Sequence, residues 1–175
     1  MIMDEGGIIG TGTLIDAQTV LTSKHFLVAG KRYGVRFSNS SLTSVMSTVL
    51  HPSLDLAFLR LDAVHEARYP RISRQKPPLQ AHVIAFGTEM QDATISERRG
   101  VILRHDASVK AGDDVVTGLL LSDIPFRAGY SGGPLVNQLG EIIGVHTAYE
   151  TSGESGWSTP VNERVIRELR SINAE

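Results

Sequence analysis

Gly129-Tyr130-Ser131-Gly132-Gly133-Pro134 decides how the rest of the chain is read. It seats a serine on a glycine-rich turn, where peptide N–H groups can converge on a carbonyl oxygen. A serine hydroxyl is a weak nucleophile until a neighbouring base takes its proton, and that base needs a third group to hold its tautomer. The motif therefore calls for a histidine and a carboxylate. His25 stands in Val20-Leu21-Thr22-Ser23-Lys24-His25-Phe26, at the end of an apolar run that follows the hairpin-like Gly10-Thr11-Gly12-Thr13-Leu14-Ile15. Asp55 stands in His51-Pro52-Ser53-Leu54-Asp55-Leu56-Ala57-Phe58-Leu59-Arg60-Leu61, just before a second run, where an acid can be half buried and aimed at an imidazole nitrogen.

Outward from these segments, short apolar runs recur between turn residues: 8–15, 19–22, 35–37, 45–50, 56–61, 82–87, 101–105, 116–121, 134–136, 142–148 and 157–160. Val, Ile, Leu and Thr fill the runs, and Gly, Asp, Asn and Pro separate them. None is long enough for the helices that alternate with strands in an α/β sheet, so the pattern predicts an all-β, antiparallel fold, barrel or sandwich. Residues 63–81 lack apolar periodicity and carry Pro70, Pro77 and Pro78. They read as a connector between two halves, 1–68 with the histidine and aspartate and 82–160 with the serine, the link itself spanning 69–81. The final segment, 161–175, predicts a helix, because Val161, Val165, Ile166, Leu169 and Ile172 fall at helical spacing behind Pro160.

The chain has 175 residues, a formal net charge of -2 and no cysteine. Disulfides, zinc–thiolate clusters and thiol chemistry are thereby excluded. The densest basic stretch, Arg71-Ile72-Ser73-Arg74-Gln75-Lys76, reads as a solvated loop, and with aromatics at 6% no nucleic-acid groove is expected. No apolar run reaches a membrane span, and Met1 to Gly10 carries no basic leader segment, so no membrane partner is expected and the reading is cytoplasmic. No cofactor is called for. His51, His65, His82 and His105 show no partner pattern and read as structural or surface residues, and no metal-ligand spacing is present.

In order and in residue type, the three segments resemble chymotrypsin-fold serine proteases, most closely the cysteine-free bacterial HtrA type. The resemblance runs from Gly10 to the terminal helix: a small-residue hairpin leading to the histidine, an Asp-Leu-Ala-Xaa-Leu segment, and Gly-Xaa-Ser-Gly-Gly-Pro. It implies two antiparallel six-stranded β-barrels with a C-terminal α-helix. It also implies a serine endopeptidase working through an acyl-enzyme on Ser131, with His25 as general base, Asp55 orienting it, and the N–H groups of Gly129 and Ser131 as the oxyanion hole. The alternative is a protease-like module that grips a peptide strand without cutting. Gly-Xaa-Ser-Xaa-Gly is also the nucleophile elbow of α/β hydrolases, but that elbow needs a following helix and then an acid and a histidine downstream. Here a Pro- and Gly-containing hairpin follows, with His146 as its only histidine.

In such folds a peptide substrate adds as an antiparallel strand beside a side-chain pocket. The resemblance places that edge at Thr147-Ala148-Tyr149 and one pocket wall at Ile124-Pro125-Phe126-Arg127-Ala128. Pro125 stands at the pocket base, so cleavage after Lys or Arg is disfavoured. His146 resembles the pocket histidine with which glutamyl endopeptidases bind Glu, which implies a preference for Glu or Gln with Arg127 as an accessory. Two departures stand out. Tyr130 replaces the aspartate that pairs with a new N-terminus in zymogens. Met1 to Ile9 also looks short for the strand that precedes the Gly10 hairpin. The first barrel is therefore expected to be incomplete, its open edge covered by a partner strand, a second copy or a flanking segment.

Overall fold

Short runs rich in Val, Ile, Leu and Thr set most of the strands. The computed structural model describes residues 1–111, 114–149 and 154–172, less the side chains of Ala111 and Tyr149. Its elements in chain order are β1 (Ile2–Asp4), β2 (Gly7–Gly10), β3 (Thr13–Asp16), β4 (Thr19–Thr22), β5 (Gly34–Arg36), β6 (Leu42–Leu50), β7 (Ala57–Leu61), β8 (His82–Glu89), β9 (Thr94–Ala111), β10 (Asp114–Ser122), β11 (Pro134–Asn137), β12 (Ile142–Tyr149), β13 (Gly156–Pro160) and α1 (Glu163–Ile172). Strands β1 to β7 form one antiparallel sheet in the order β2-β1-β5-β6-β7-β4-β3. Strands β8 to β13 close into a barrel in the order β10-β13-β12-β11-β8-β9.

The first half is thus a sheet rather than a closed ladder, as its expected incompleteness implies. Met1 to Gly10 folds into the β1–β2 hairpin, turning at Glu5-Gly6, and Gly7 enters β2 at φ +121°, a conformation that L side chains rarely adopt. Ile2 pairs with Val35 of β5 and is wholly buried. The two ends of the sheet, β2 and β3, are consecutive in the chain and joined by Thr11-Gly12. The sheet therefore ends on both sides at one covalent corner, and that corner faces the serine loop.

A single apolar cluster spans both halves and the helix. Leu21, Leu56 and Phe58 of the first half pack with Val136, Ile142 and Val145 of the barrel and with Ile166 and Leu169 of α1. Asn162 caps the helix, its side-chain oxygen accepting the Val165 N–H at 3.1 Å. Glu163 in the first turn and Arg170 in the last suit the helix dipole. The connector docks as well, since Ile72 bridges to Ile142 and the Ser73 N–H donates to the Ile142 carbonyl at 2.9 Å.

Candidate active site

His25 lies in the turn just past β4, and Asp55 lies in the loop between β6 and β7. Because β4 and β7 are paired, Thr22 with Ala57, the two loops leave the sheet side by side. The Asp55 carboxylate holds the histidine at two points. Its Oδ2 lies 2.8 Å from His25 Nδ1, and its Oδ1 accepts the backbone N–H groups of His25 at 2.8 Å and Lys24 at 3.0 Å. Burial pushes the Asp55 pKa up, but hydrogen bonding and charge from His25, with help from the Thr147 hydroxyl, outweigh it and hold the carboxyl below its ordinary range. An ionised Oδ2 can only accept, so the Nδ1 proton stays on the ring and the Nε2 lone pair faces outward. The ring is 42% exposed, which leaves that lone pair within reach of a substrate.

The serine loop is tied to the first half by short polar side chains at the Thr11-Gly12 corner. The Thr11 N–H donates to the Ser131 carbonyl at 2.8 Å, and its hydroxyl donates to the Gly129 carbonyl at 2.6 Å. Thr22 Oγ1 donates to the Thr11 carbonyl at 2.7 Å, and the Thr88 N–H donates to Thr11 Oγ1 at 2.9 Å. Gly132, at φ +83°, passes so close to Thr22 and Thr11 that a Cβ would overlap both. The packing brings the serine segment onto the base of the histidine loop. Among the described residues, no hydrogen bond joins His25 Nε2 to Ser131 Oγ. Such bonds are often long in unliganded enzymes and tighten when substrate binds.

Arg127 to Tyr130 form a turn closed by the Tyr130 N–H donating to the Arg127 carbonyl at 3.0 Å. Gly129 occupies its third position at φ +95°, which defines a type II turn. Type I would flip the central peptide and turn the Gly129 N–H the other way. In the turn observed, the N–H groups of Gly129 and Ser131 make no hydrogen bond among the described residues, so both are free to meet an oxyanion.

Tyr130 anchors this turn from below. Its ring is 1% exposed, and its hydroxyl meets Ser96, accepts from Arg98 Nε at 2.7 Å and lies 3.3 Å from Glu89 Oε1. Arg98 and Glu89 also pair with each other at 3.1 Å. Gly87 makes room for the ring, since a Cβ there would overlap it. No pattern in the sequence marked this network, because Glu89, Ser96 and Arg98 lie in a polar hairpin without periodicity.

The pocket residues are arranged differently from expectation. His146 is buried, its Nδ1 3.1 Å from Ser158 Oγ and its Nε2 without a hydrogen-bond partner. Burial lowers its pKa to about 3, although the carbonyls of Phe86 and Pro134 oppose that, so the ring is neutral. Phe126, also buried, lies against it with ring centroids 4.0 Å apart and fills the space over Gly156. Arg127 is exposed. Ala148 and Tyr149 pair with Trp157 and Gly156 of β13 and, among the described residues, with no strand on the other side, which leaves an edge open. The Tyr149 side chain lies outside the described residues. Thr147 turns out to serve the aspartate as well as the edge, and Ser23, Thr11, Thr22 and Thr88 were not marked by any spacing.

A barrel packed on a sheet, with a His–Asp pair beside a Gly-Xaa-Ser-Gly-Gly-Pro turn, is the scaffold of a chymotrypsin-type serine peptidase. Residues 10–145 match the trypsin-like peptidase domain, and the chain belongs to that family. It is similar to the probable membrane transporter protein MamO of Magnetospirillum gryphiswaldense, 28% identical over 95% of this chain and 27% of that protein. It is also similar to a probable periplasmic serine endoprotease, DegP-like, of Pseudomonas putida, 24% identical over 82% of this chain and 30% of that one. The chain thus spans less than a third of the length of these relatives. The crystal structure of the MamO protease domain from Magnetospirillum magneticum superposes with a TM-score of 0.75 at 25% identity, covering 91% of this chain and 86% of that one. The HtrA-type protease AlgW with a decapeptide gives 0.79 at 22% identity, covering 95% and 52%, and shares the fold.

These relatives overturn the cytoplasmic placement, since one is named a membrane transporter protein and another a periplasmic endoprotease. A cysteine-free domain held by hydrogen bonds folds alike in reducing and oxidising surroundings, so its composition carries no address.

Proposed function

We propose that this domain is a serine endopeptidase acting on a protein or peptide strand. His25 Nε2 takes the proton from Ser131 Oγ as Oγ bonds to the scissile carbonyl carbon, and the N–H groups of Gly129 and Ser131 receive the oxyanion. His25 returns the proton to the departing amine nitrogen as the C–N bond breaks; the same base then takes a proton from a water that attacks the acyl carbon, and gives it to Ser131 Oγ as the ester C–O bond breaks and the acid leaves. One oxyanion donor is typically worth about 10²–10³ in turnover. The observation that carries the reading is the two-point hold of Asp55 on His25, which fixes both the tautomer and the ring position. The substrate strand adds along Thr147-Ala148-Tyr149.

The preference for Glu or Gln rests on the unpaired His146 Nε2. If Ser158 donates to Nδ1, Nε2 carries the proton and can donate to a side-chain oxygen. A ring this hard to protonate favours the amide of Gln over a buried carboxylate, with Phe126 turning aside and exposed Arg127 as accessory.

A fluorophosphonate probe on wild type and Ser131→Ala tests the chemistry. Labelling of wild type alone supports the endopeptidase. Absent labelling, or labelling that survives the substitution, supports the silent peptide-binding module. Profiling with a peptide library tests the pocket: preference for Val or Ala over Gln and Glu removes the role given to His146.

A further inference from the structure

His51 is a buried imidazole, 5% exposed, that the proposed chemistry does not use. It stands at the head of the loop that carries Asp55, directly after β6. Its Nδ1 accepts two backbone N–H groups, from Ser53 at 3.2 Å and Leu54 at 3.0 Å. Pro52 has no N–H to offer, so these are the first two donors of the loop. The His51 N–H donates to the Leu56 carbonyl at 2.9 Å, which closes the loop on the far side of Asp55. Every residue between Pro52 and Leu56 is therefore either bonded to His51 or adjacent to one that is.

Two charged side chains of opposite sign also meet His51, one at its ring and one at its backbone carbonyl. An Nδ1 that accepts two donors leaves the ring proton on Nε2, and Nε2 faces Glu168 Oε2 on α1 at 3.6 Å. The other Glu168 oxygen is held by Arg164 Nε at 2.8 Å, one turn away. On the opposite side, Lys24 Nζ donates to the His51 carbonyl at 2.9 Å, and Lys24 is the residue whose N–H binds Asp55 Oδ1. The histidine loop, the aspartate loop and the terminal helix thus meet at one residue, the loop and the helix at its ring and the lysine at its carbonyl.

We propose that His51 is a positioning residue that clasps the Asp55 loop to helix α1 and so sets the carboxylate against His25. The proposal rests on the endopeptidase reading for its consequence in turnover, but its geometric content does not. A side chain that cannot accept the Ser53 and Leu54 N–H groups lets the loop relax, and misplacing a supporting group by an ångström costs about 10²-fold in rate.

Asn is the informative replacement, because its side-chain oxygen accepts a backbone N–H two residues on in the same kind of turn. The test follows the low-field proton resonance of His25 Nδ1–H and the rate of serine phosphonylation by a fluorophosphonate, in wild type, His51→Ala and His51→Asn. In His51→Ala the resonance is expected to broaden or vanish and the phosphonylation rate at saturating probe to fall about tenfold or more with the half-saturating concentration little changed. In His51→Asn both should return to near wild type. His51→Leu, which matches the bulk of the ring, replaces the alanine variant if that one does not fold. Wild-type resonance and rate in His51→Ala or His51→Leu would overturn the proposal, as would an Asn variant no better than Ala. Wild type that shows the resonance but never labels would count against the endopeptidase reading instead, and leave the clasp testable by the resonance alone.

Discussion

Ser23 reaches from the histidine loop into the barrel and donates its hydroxyl to the His146 carbonyl at 2.7 Å. The Gly132 N–H, next to the serine, donates to the same oxygen at 2.9 Å. One carbonyl thereby joins the base's loop, the serine's loop and the strand proposed to receive substrate. Four predictions follow the chemistry outward from this junction.

Asp55→Asn should keep the loop but offer His25 an amide in place of a carboxylate. The imidazole then loses its fixed tautomer and its counter-charge. Phosphonylation of Ser131 by a fluorophosphonate is expected to slow by about 10⁴-fold. Stopped or quenched-flow labelling checks it, and a loss under tenfold would remove Asp55 from the mechanism.

Gly129→Ala asks an L side chain to take φ +95° and to overlap the Thr88 carbonyl. The turn should flip to type I, withdrawing the Gly129 N–H. Turnover is expected to fall by about 10²–10³ with substrate affinity nearly unchanged. Steady-state kinetics on a peptide ester would show the split between kcat and KM.

Tyr130→Phe deletes a buried hydroxyl and leaves Arg98 and Glu89 with each other. The expected loss is about 1–3 kcal/mol, a few degrees in Tm for a chain of this size. Thermal unfolding of Tyr130→Phe, Arg98→Met and the pair checks it. Additive effects would show that the hydroxyl and the guanidinium do not act together.

Acid should weaken the fold through His146. Its folded pKa, about 3, lies below the 6.5 of an ordinary histidine. The unfolded chain therefore takes up the proton first, and stability drains away as pH falls from 6.5 toward 3. At about 1.4 kcal/mol per pH unit, moving from pH 7.5 to pH 5 should cost roughly 2 kcal/mol that a His146→Leu variant does not lose. Asp55 acts in the same direction at lower pH, since its depressed pKa stabilises the fold only above the carboxylate range. Urea titrations at the two pH values decide the matter.

What the residues disclosed in advance was the chemistry-bearing skeleton. His25, Asp55 and the Gly129 to Pro134 turn sit in motifs whose residue types are demanded by their roles, and the apolar runs located most of the strands. Other features left no trace for a physical reason. Ile2-Met3-Asp4 is too short to show a period, so β1 was invisible until its pairings with β2 and with Val35 of β5 revealed it. The Tyr130 anchor is assembled from positions far apart in a polar hairpin. His146 drew notice in the sequence and His51 did not, yet both rings are buried, and only their contacts separate a ring that holds a loop from one sealed against Phe126. Thr11 and Ser23 are ordinary residues made consequential by where the covalent corner of the sheet falls.

The Tyr130 ring and the bare backbone of Gly87 occupy one volume, so neither position can drift alone. A lineage that enlarges residue 87 must first surrender the aromatic at 130, and with it the tether to Glu89, Ser96 and Arg98. The two sites should therefore be inherited as a couple, and a descendant that breaks the couple must steady its serine turn by some other means.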